Sequence, residues 1–199
     1  MKCLLRKQLS EIWSKLKPYR DIIVFVVALL VSNYFWKLTI VGDEHGLAVT
    51  WFGLDITAPF AWMAEITTNA VYWIVSLFRD TIYQVDAITL RFTSGSSTRI
   101  VWACTPIKQG FIWLCIMLAT AGDWKSKLWF IPFGWICIFI INILRITAIT
   151  LFIEFHPEWF EILHVYIFKY LFYGLMFLLW VWYVEKIRKP ESSSDTDQV

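Results

Sequence analysis

The sequence predicts an all-α integral membrane protein with four transmembrane helices, an amphipathic helix on the outer face and a small hairpin. Of the 199 residues, 58% are hydrophobic and only 17% are charged, which leaves too little polar sequence to cover a water-soluble domain. Four stretches are apolar and long enough to cross a hydrocarbon core, which needs about 20 helical residues. They lie at about residues 21–40, 104–121, 128–153 and 164–184.

The positions of Lys and Arg predict the orientation of these spans, because both residues accumulate on the cytoplasmic side of a membrane. Basic residues precede the first span, lie between the second and third, and follow the last. Four crossings place all three groups inside, and the acidic loop 154–163 outside. We therefore expect a cytoplasmic N-terminal segment 1–20, an extracytoplasmic region 41–103 and a disordered cytoplasmic tail 185–199. The single membrane domain is residues 21–184, in a prokaryotic plasma membrane.

Residues 56–78 are long enough for a fifth crossing, but a polar stripe follows one helical face. A fifth crossing would also place two basic clusters outside, so a helix lying in the outer leaflet is favoured. The stripe consists of Glu65, Thr68, Asn69, Tyr72, Ser76 and Arg79.

A hairpin is predicted between this helix and the second span. Apolar and polar residues alternate over residues 88–93, residues 94–97 read as a turn, and residues 98–103 read as the return strand. The hairpin would deliver the chain directly to Cys104.

Composition excludes several classes of protein. The net charge of +2 is too small to suggest a nucleic-acid partner. The four cysteines follow neither a zinc spacing nor a disulfide pattern. Asp43, Glu44 and His45 have a spacing too nonspecific to indicate a metal, so we expect no metal and no cofactor.

Arg145 is the most informative polar residue, because an ionisable group within a span is costly and usually faces a protein interior or a watery cavity. It lies about eight residues, or about 12 Å, below the outer end of the third span. Asn142 lies on the same helical face and is expected to hold the guanidinium or to cap a polar pocket. A structural ion pair or a snorkelling side chain is the alternative reading.

Cys104 has a setting typical of a reactive thiol. Residues 103–106 read as the start of a helix with proline in its first turn. The helix N-terminus and Lys108, one turn further on, would both favour the thiolate. A small inert core residue is the alternative reading.

His164 opens the last span at the same outer level and is placed to transfer protons near neutral pH. An interfacial histidine with a satisfied hydrogen bond is the alternative. His156 and His45 are weaker candidates, both in outward loops. Three helices thus place a thiol, a guanidinium and an imidazole toward the same leaflet, which are the components of a cysteine acyl-transfer site.

Residues 103–105, 142–146 and 163–164 resemble the Cys, Arg and His signatures of the exosortase and archaeosortase family over residues 101–183. The resemblance implies a membrane cysteine protease or transpeptidase, whose substrates carry a C-terminal motif, a transmembrane helix and a basic tail. It implies Cys104 as nucleophile, His164 as general acid or base, and Arg145 as oxyanion stabiliser or substrate-positioning group. Many members have Cys-Ser-Gly at the nucleophile, whereas this chain has Cys104-Thr105-Pro106, which leaves the subfamily and the substrate motif open.

Two other functions are compatible with the sequence. In a non-enzymatic membrane assembly factor or polysaccharide-export accessory protein, Arg145 and Asn142 would build a helix–helix contact. In a small transporter, Arg145, Lys108 and Lys169 would line an anion path, although no internal repeat supports that architecture. The oligomeric state is open.

Overall fold

The computed structural model describes residues 19–42 and 48–187. Within these residues the chain is mostly helical and forms five α-helices: α1 (Arg20–Thr39), α2 (Thr57–Ser76), α3 (Ile107–Ala119), α4 (Trp124–Ile153) and α5 (Phe168–Trp182). A π-helical turn, Ile162–Ile167, precedes α5, and another, Tyr183–Ile187, follows it. The basic segment before residue 19, the loop 43–47 with Asp43, Glu44 and His45, and the tail after residue 187 lie outside the described residues.

Three helices in the described part of the chain are long and apolar enough to cross a membrane. They are α1, α4 and α5 with its following turn, which confirms three of the predicted spans as helices. The remaining predicted span, residues 104–121, forms the 13-residue helix α3, about 20 Å long. Helix α2 forms where the amphipathic helix was predicted and does not belong to the three.

The sequence predicted one hairpin, whereas the described part of the chain contains two three-stranded antiparallel sheets between its helices. The first contains β1 (Ile40–Gly42), β2 (Val49–Trp51) and β3 (Leu54–Asp55). The second contains β4 (Ile82–Asp86), β5 (Thr89–Phe92) and β6 (Ser97–Arg99). The predicted hairpin is β5 with β6, although β6 ends at Arg99 rather than at residue 103. The other strands are two to five residues long, too short for an alternating pattern to stand out from the apolar background.

The second sheet packs on α2 and α4 and forms a core of its own, whose members are Val71, Val75, Ile82, Leu90, Phe92, Ile100, Ile143 and Ile146. The polar stripe predicted for α2 is therefore only partly exposed. Glu65 and Asn69 face outward, whereas Thr68 is fully buried and its hydroxyl donates to the Ala64 carbonyl.

A second core fills the opposite end of the bundle, where α1, α4 and α5 meet α3, and we call it the aromatic core. Its members are Phe25, Ile112, Trp113, Ile116, Met117, Phe130, Ile138, Phe172, Met176, Trp180 and Tyr183. The two buried indoles in it have hydrogen-bond partners. Trp113 Nε1 donates to the Ile131 carbonyl at 3.2 Å, and Trp180 Nε1 donates to Thr120 Oγ1 at 2.9 Å.

Two glycines allow α3 and α4 to approach each other closely. A Cβ atom on Gly134 of α4 would overlap the indole of Trp113, and one on Gly110 of α3 would overlap the indole of Trp135. The Trp113 ring of α3 therefore packs over Gly134 of α4, and the Trp135 ring of α4 packs over Gly110 of α3. This exchange fixes how α3 lies against α4, and with it the position of the chain that enters α3.

Candidate functional site

A cavity of about 580 Å³ opens at the end of the bundle where α1 ends and α3 begins. We call it the cationic cavity, because four helices each contribute one basic residue to its wall. These are Lys37 from α1, Lys108 from α3, Arg145 from α4 and Lys169 from α5. The described residues that line it include no Asp and no Glu.

Cys104 lies beside this cavity rather than on its wall. It ends a short 3₁₀ turn, Trp102–Cys104, whose Trp102 and Ala103 line the cavity. Cys104 itself is half-buried and packs against the core of the second sheet.

The predicted helix start at Cys104 is wrong by three residues. Helix α3 begins at Ile107, with Pro106 as its N-cap. The residue before a proline is driven toward extended backbone, and Thr105 has that conformation, with ψ of 155°. Cys104 consequently lies outside the first turn of α3, and the contribution of the helix N-terminus to its thiolate is smaller than the sequence suggested.

Asn142 connects the Cys104 turn to α4. Its Nδ2 donates to the backbone carbonyl of Cys104 at 2.8 Å, and the residue is fully buried. The sequence predicted that Asn142 would hold the guanidinium or cap a polar pocket. Instead, its amide holds the backbone of Cys104, so the two residues are neighbours across 38 positions of sequence.

Arg145 lies one helical turn beyond Asn142 and lines the cationic cavity. It is within electrostatic range of both Cys104 and Tyr173. Its Nε is buried and has no hydrogen-bond partner among the described residues. A buried donor without a partner is unusual in a folded protein, which distinguishes Arg145 from the satisfied polar groups around it.

The structure brings together four of the five predicted site residues: Cys104, Lys108, Asn142 and Arg145. His164 lies in the π-helical turn before α5, but its side chain lies outside the described part of the structure. Its role as general acid or base stays a prediction. His156 is exposed in the loop after α4, where its Nδ1 lies 3.3 Å from Glu158 Oε1, and His45 is outside the described residues.

Sequence reasoning missed Lys37 and the indoles of Trp36 and Trp102 as parts of the cavity. Lys37 lies in the last turn of α1, where a basic residue is ordinary for a helix C-terminus. Nothing in its local sequence distinguishes it from such a residue. Its grouping with Lys108 and Lys169 becomes visible only once the helices are packed.

Comparisons of this chain with models of known families, with curated proteins and with solved structures find no match. Within residues 19–42 and 48–187, no group of three or more His, Cys, Asp or Glu side chains is arranged to hold a metal ion.

Proposed function

We propose that this chain is an exosortase-like membrane cysteine protease or transpeptidase, which cleaves the C-terminal sorting signal of membrane-anchored exported proteins. The observation that carries the proposal is the contact between Asn142 and the Cys104 backbone, 2.8 Å long, with Arg145 one turn away in electrostatic range of Cys104. Two of the three sequence segments that carry the family resemblance, residues 103–105 and 142–146, are thus neighbours in space, which supports a shared catalytic site.

The proposed reaction is acyl transfer through a thioester. The Cys104 thiolate attacks the scissile carbonyl carbon, and Arg145 stabilises the resulting oxyanion or positions the substrate backbone. The C–N bond then breaks, and His164 protonates the leaving amine. Water that attacks the thioester makes the chain a protease, and an acceptor amine makes it a transpeptidase. Either attack releases the Cys104 thiol.

The proposed topology has four crossings, with both termini cytoplasmic and the site at the outer face of a prokaryotic plasma membrane. Helix α3 is the short crossing, and the 3₁₀ turn before it extends the same path toward the outer interface. A substrate anchored by its own helix would diffuse in two dimensions and present its cleavage motif at this level. Its basic tail would lie on the cytoplasmic side.

The direct test replaces Cys104 in the organism that carries the gene and compares the C-termini of its membrane proteins by mass spectrometry. In Cys104→Ala, we expect one or more proteins to keep a C-terminal motif, helix and basic tail that the wild-type strain removes. Cys115→Ala is the matched control, because Cys115 is also a half-buried thiol, on α3. Identical C-termini in the Cys104→Ala and wild-type strains, at equal protein levels, would refute the proposal.

A second experiment tests the side of the membrane on which Cys104 lies. A membrane-impermeant maleimide is applied to sealed spheroplasts and, in parallel, to permeabilised ones. Labelling of Cys104 in both samples agrees with an outward site. Labelling only after permeabilisation would contradict the topology.

One observation favours the non-enzymatic alternative, because the Asn142 contact is also what a purely structural helix junction would contain. An assembly factor would tolerate Cys104→Ala, whereas Arg145→Ala would lower the amount of protein or of its complexes. If the chain is a protease, both variants should accumulate in the membrane at the wild-type level, and neither should process substrate.

A further inference from the structure

We propose that the cationic cavity binds the phosphate head group of an anionic lipid, whose hydrocarbon chain lies in an adjoining apolar groove between α4 and α5. This inference goes beyond the proposed function, since it requires no chemistry at Cys104. It rests on the charge of the cavity, on the unpartnered donors of the residues that line it and on the groove that shares two lining residues with it.

The charge is the first observation. Lys108 is within electrostatic range of both Lys37 and Lys169, so three like charges from three helices repel one another, and Arg145 adds a fourth. None of the four forms an ion pair with a described residue. Neighbouring like charges destabilise a fold unless an anion compensates them. A phosphate group has the charge and the acceptor oxygens that Lys and Arg bind best.

The polar atoms of the wall are the second observation. Trp36 is only 6% exposed and lines the cavity. Its Nε1, the Nε1 of Trp102 and the Nε of Arg145 have no hydrogen-bond partner among the described residues. All three atoms are donors. A buried donor without a partner is costly, so the described residues leave this side of the bundle incompletely satisfied.

The groove is the third observation. It has a volume of about 170 Å³, and its wall shares Arg145 and Phe172 with the cationic cavity. The remaining wall is apolar: Ile141, Leu144, Phe168, Leu171 and Leu175.

Leu144 and Leu171 are each about half exposed on the outer surface of the bundle, at 55% and 52%. In a membrane, that surface faces the hydrocarbon chains of the bilayer. A cationic cavity that shares Arg145 and Phe172 with an apolar, lipid-facing groove matches a molecule with an anionic head and a hydrocarbon tail. Free phosphate would use the cavity alone.

The head group is expected to carry more than one negative charge, because four cations surround the cavity. A lipid diphosphate fits this number better than a singly charged diester. The test therefore uses three probes: farnesyl diphosphate for the complete molecule, inorganic diphosphate for the head alone and farnesol for the tail alone.

The experiment uses the full chain in nanodiscs of phosphatidylcholine, with binding followed by isothermal titration calorimetry. We expect farnesyl diphosphate to bind the wild-type chain more tightly than either part does. The double variant Lys37→Gln/Lys169→Gln should weaken this binding about 10- to 100-fold, since it removes two charged hydrogen-bond donors. Neither residue belongs to the proposed catalytic set. Lys37→Arg/Lys169→Arg keeps both charges and should keep the binding. This control distinguishes loss of charge from loss of folding as the cause of weaker binding.

The matched control for charge is Lys125→Gln/Lys186→Gln, because these lysines are exposed at the opposite end of the bundle. The groove is tested with Leu144→Trp, which should weaken binding of farnesyl diphosphate and leave inorganic diphosphate unchanged. Ile140→Trp is its control, since Ile140 is also about half exposed on α4 and does not line the groove.

Three results would overturn the proposal. Inorganic diphosphate that binds as tightly as farnesyl diphosphate would show a site for free phosphate and no lipid. Farnesyl diphosphate that does not bind would show that the cations are compensated within the chain. Binding that survives Lys37→Gln/Lys169→Gln unchanged would place the ligand elsewhere. None of these results bears on Cys104, so the proposed protease activity would be unaffected.

Discussion

The two ends of the helical bundle differ in whether their buried tryptophan indole nitrogens have hydrogen-bond partners. In the aromatic core, the indole nitrogens of Trp113 and Trp180 donate to Ile131 and Thr120. At the cationic cavity, those of Trp36 and Trp102 are equally inaccessible to solvent, yet have no partner among the described residues.

The difference indicates that one end of the bundle mainly provides stability and the other mainly provides function. One end is closed by side chains that satisfy one another, which is what a core needs for stability. The other keeps donors, positive charge and open volume together, at a cost in stability. Costs of this kind concentrate at functional sites. The contrast predicts that substitutions at the cavity mainly change function, and that those in the aromatic core mainly change stability.

The largest effect is expected from Arg145 at the cavity. Arg145→Gln should lower substrate processing by about 10²- to 10³-fold, as loss of an oxyanion donor does. Arg145→Lys should not restore it, because a lysine lacks the planar fork of donors. The measurement is the fraction of substrate with a processed C-terminus. Arg91→Gln, at an exposed residue of the second sheet, is the control, and wild-type processing by Arg145→Gln would contradict the assignment.

The next largest effect is expected where α3 and α4 exchange tryptophans. Gly134→Ala should lower the free energy of unfolding by about 3 kcal/mol, the upper part of the range for overpacking, because the buried Trp113 ring has nowhere to move. Gly174→Ala is the matched control. A Cβ there meets open space, so the change should be neutral or stabilising by up to about 1 kcal/mol. Equal unfolding curves in detergent for the two variants would contradict the close approach.

Asn142→Ala should affect both function and stability, since Asn142 joins the Cys104 turn to α4. Loss of the hydrogen bond leaves the Cys104 carbonyl without this donor, which should cost about 2 kcal/mol and displace Cys104, the proposed nucleophile. Asn69→Ala is the control, because Asn69 is exposed and should change stability by less than about 0.5 kcal/mol. Thermal unfolding together with the processing assay measures both effects. Unchanged stability and processing in Asn142→Ala would mean that this hydrogen bond does not position Cys104.

The smallest effect tests the comparison of the two ends most directly. Trp180→Phe and Trp36→Phe remove the same atoms from residues that are 2% and 6% exposed. Only Trp180→Phe breaks a hydrogen bond within the described structure, and it should be the less stable variant by about 1 kcal/mol. Unfolding in detergent without added lipid measures the difference. A Trp36→Phe variant that loses as much stability would show that the Trp36 indole already has a partner in the chain.

Much of the helical framework was predictable, because long apolar runs leave few alternatives to a membrane-spanning helix. The neighbourhood of Cys104 and Arg145 was predictable for a different reason: both residue types are unexpected in apolar sequence, and each is therefore informative. The first sheet was not predictable. Its strands are two or three residues long, and tertiary packing rather than local pattern decides that they pair.

The cationic cavity was only partly predictable from the sequence. Lys108, Lys169 and Arg145 were recognisable as a possible anion path, whereas Lys37 read as an ordinary helix-terminal residue. The 3₁₀ turn at Cys104 was missed because proline favours the first helical turn, whereas Pro106 is the N-cap and the helix begins after it. Hydropathy locates a span, but it does not tell which of two adjacent residues begins the helix.

The exchange of tryptophans over Gly110 and Gly134 also limits which motions the bundle can make. An α-helix rises 1.5 Å per residue, so a piston-like shift of α3 along α4 by a single residue would drive both indoles into backbone. Helices α3 and α4 therefore behave as one rigid unit, which holds Lys108 and Arg145 at a constant separation.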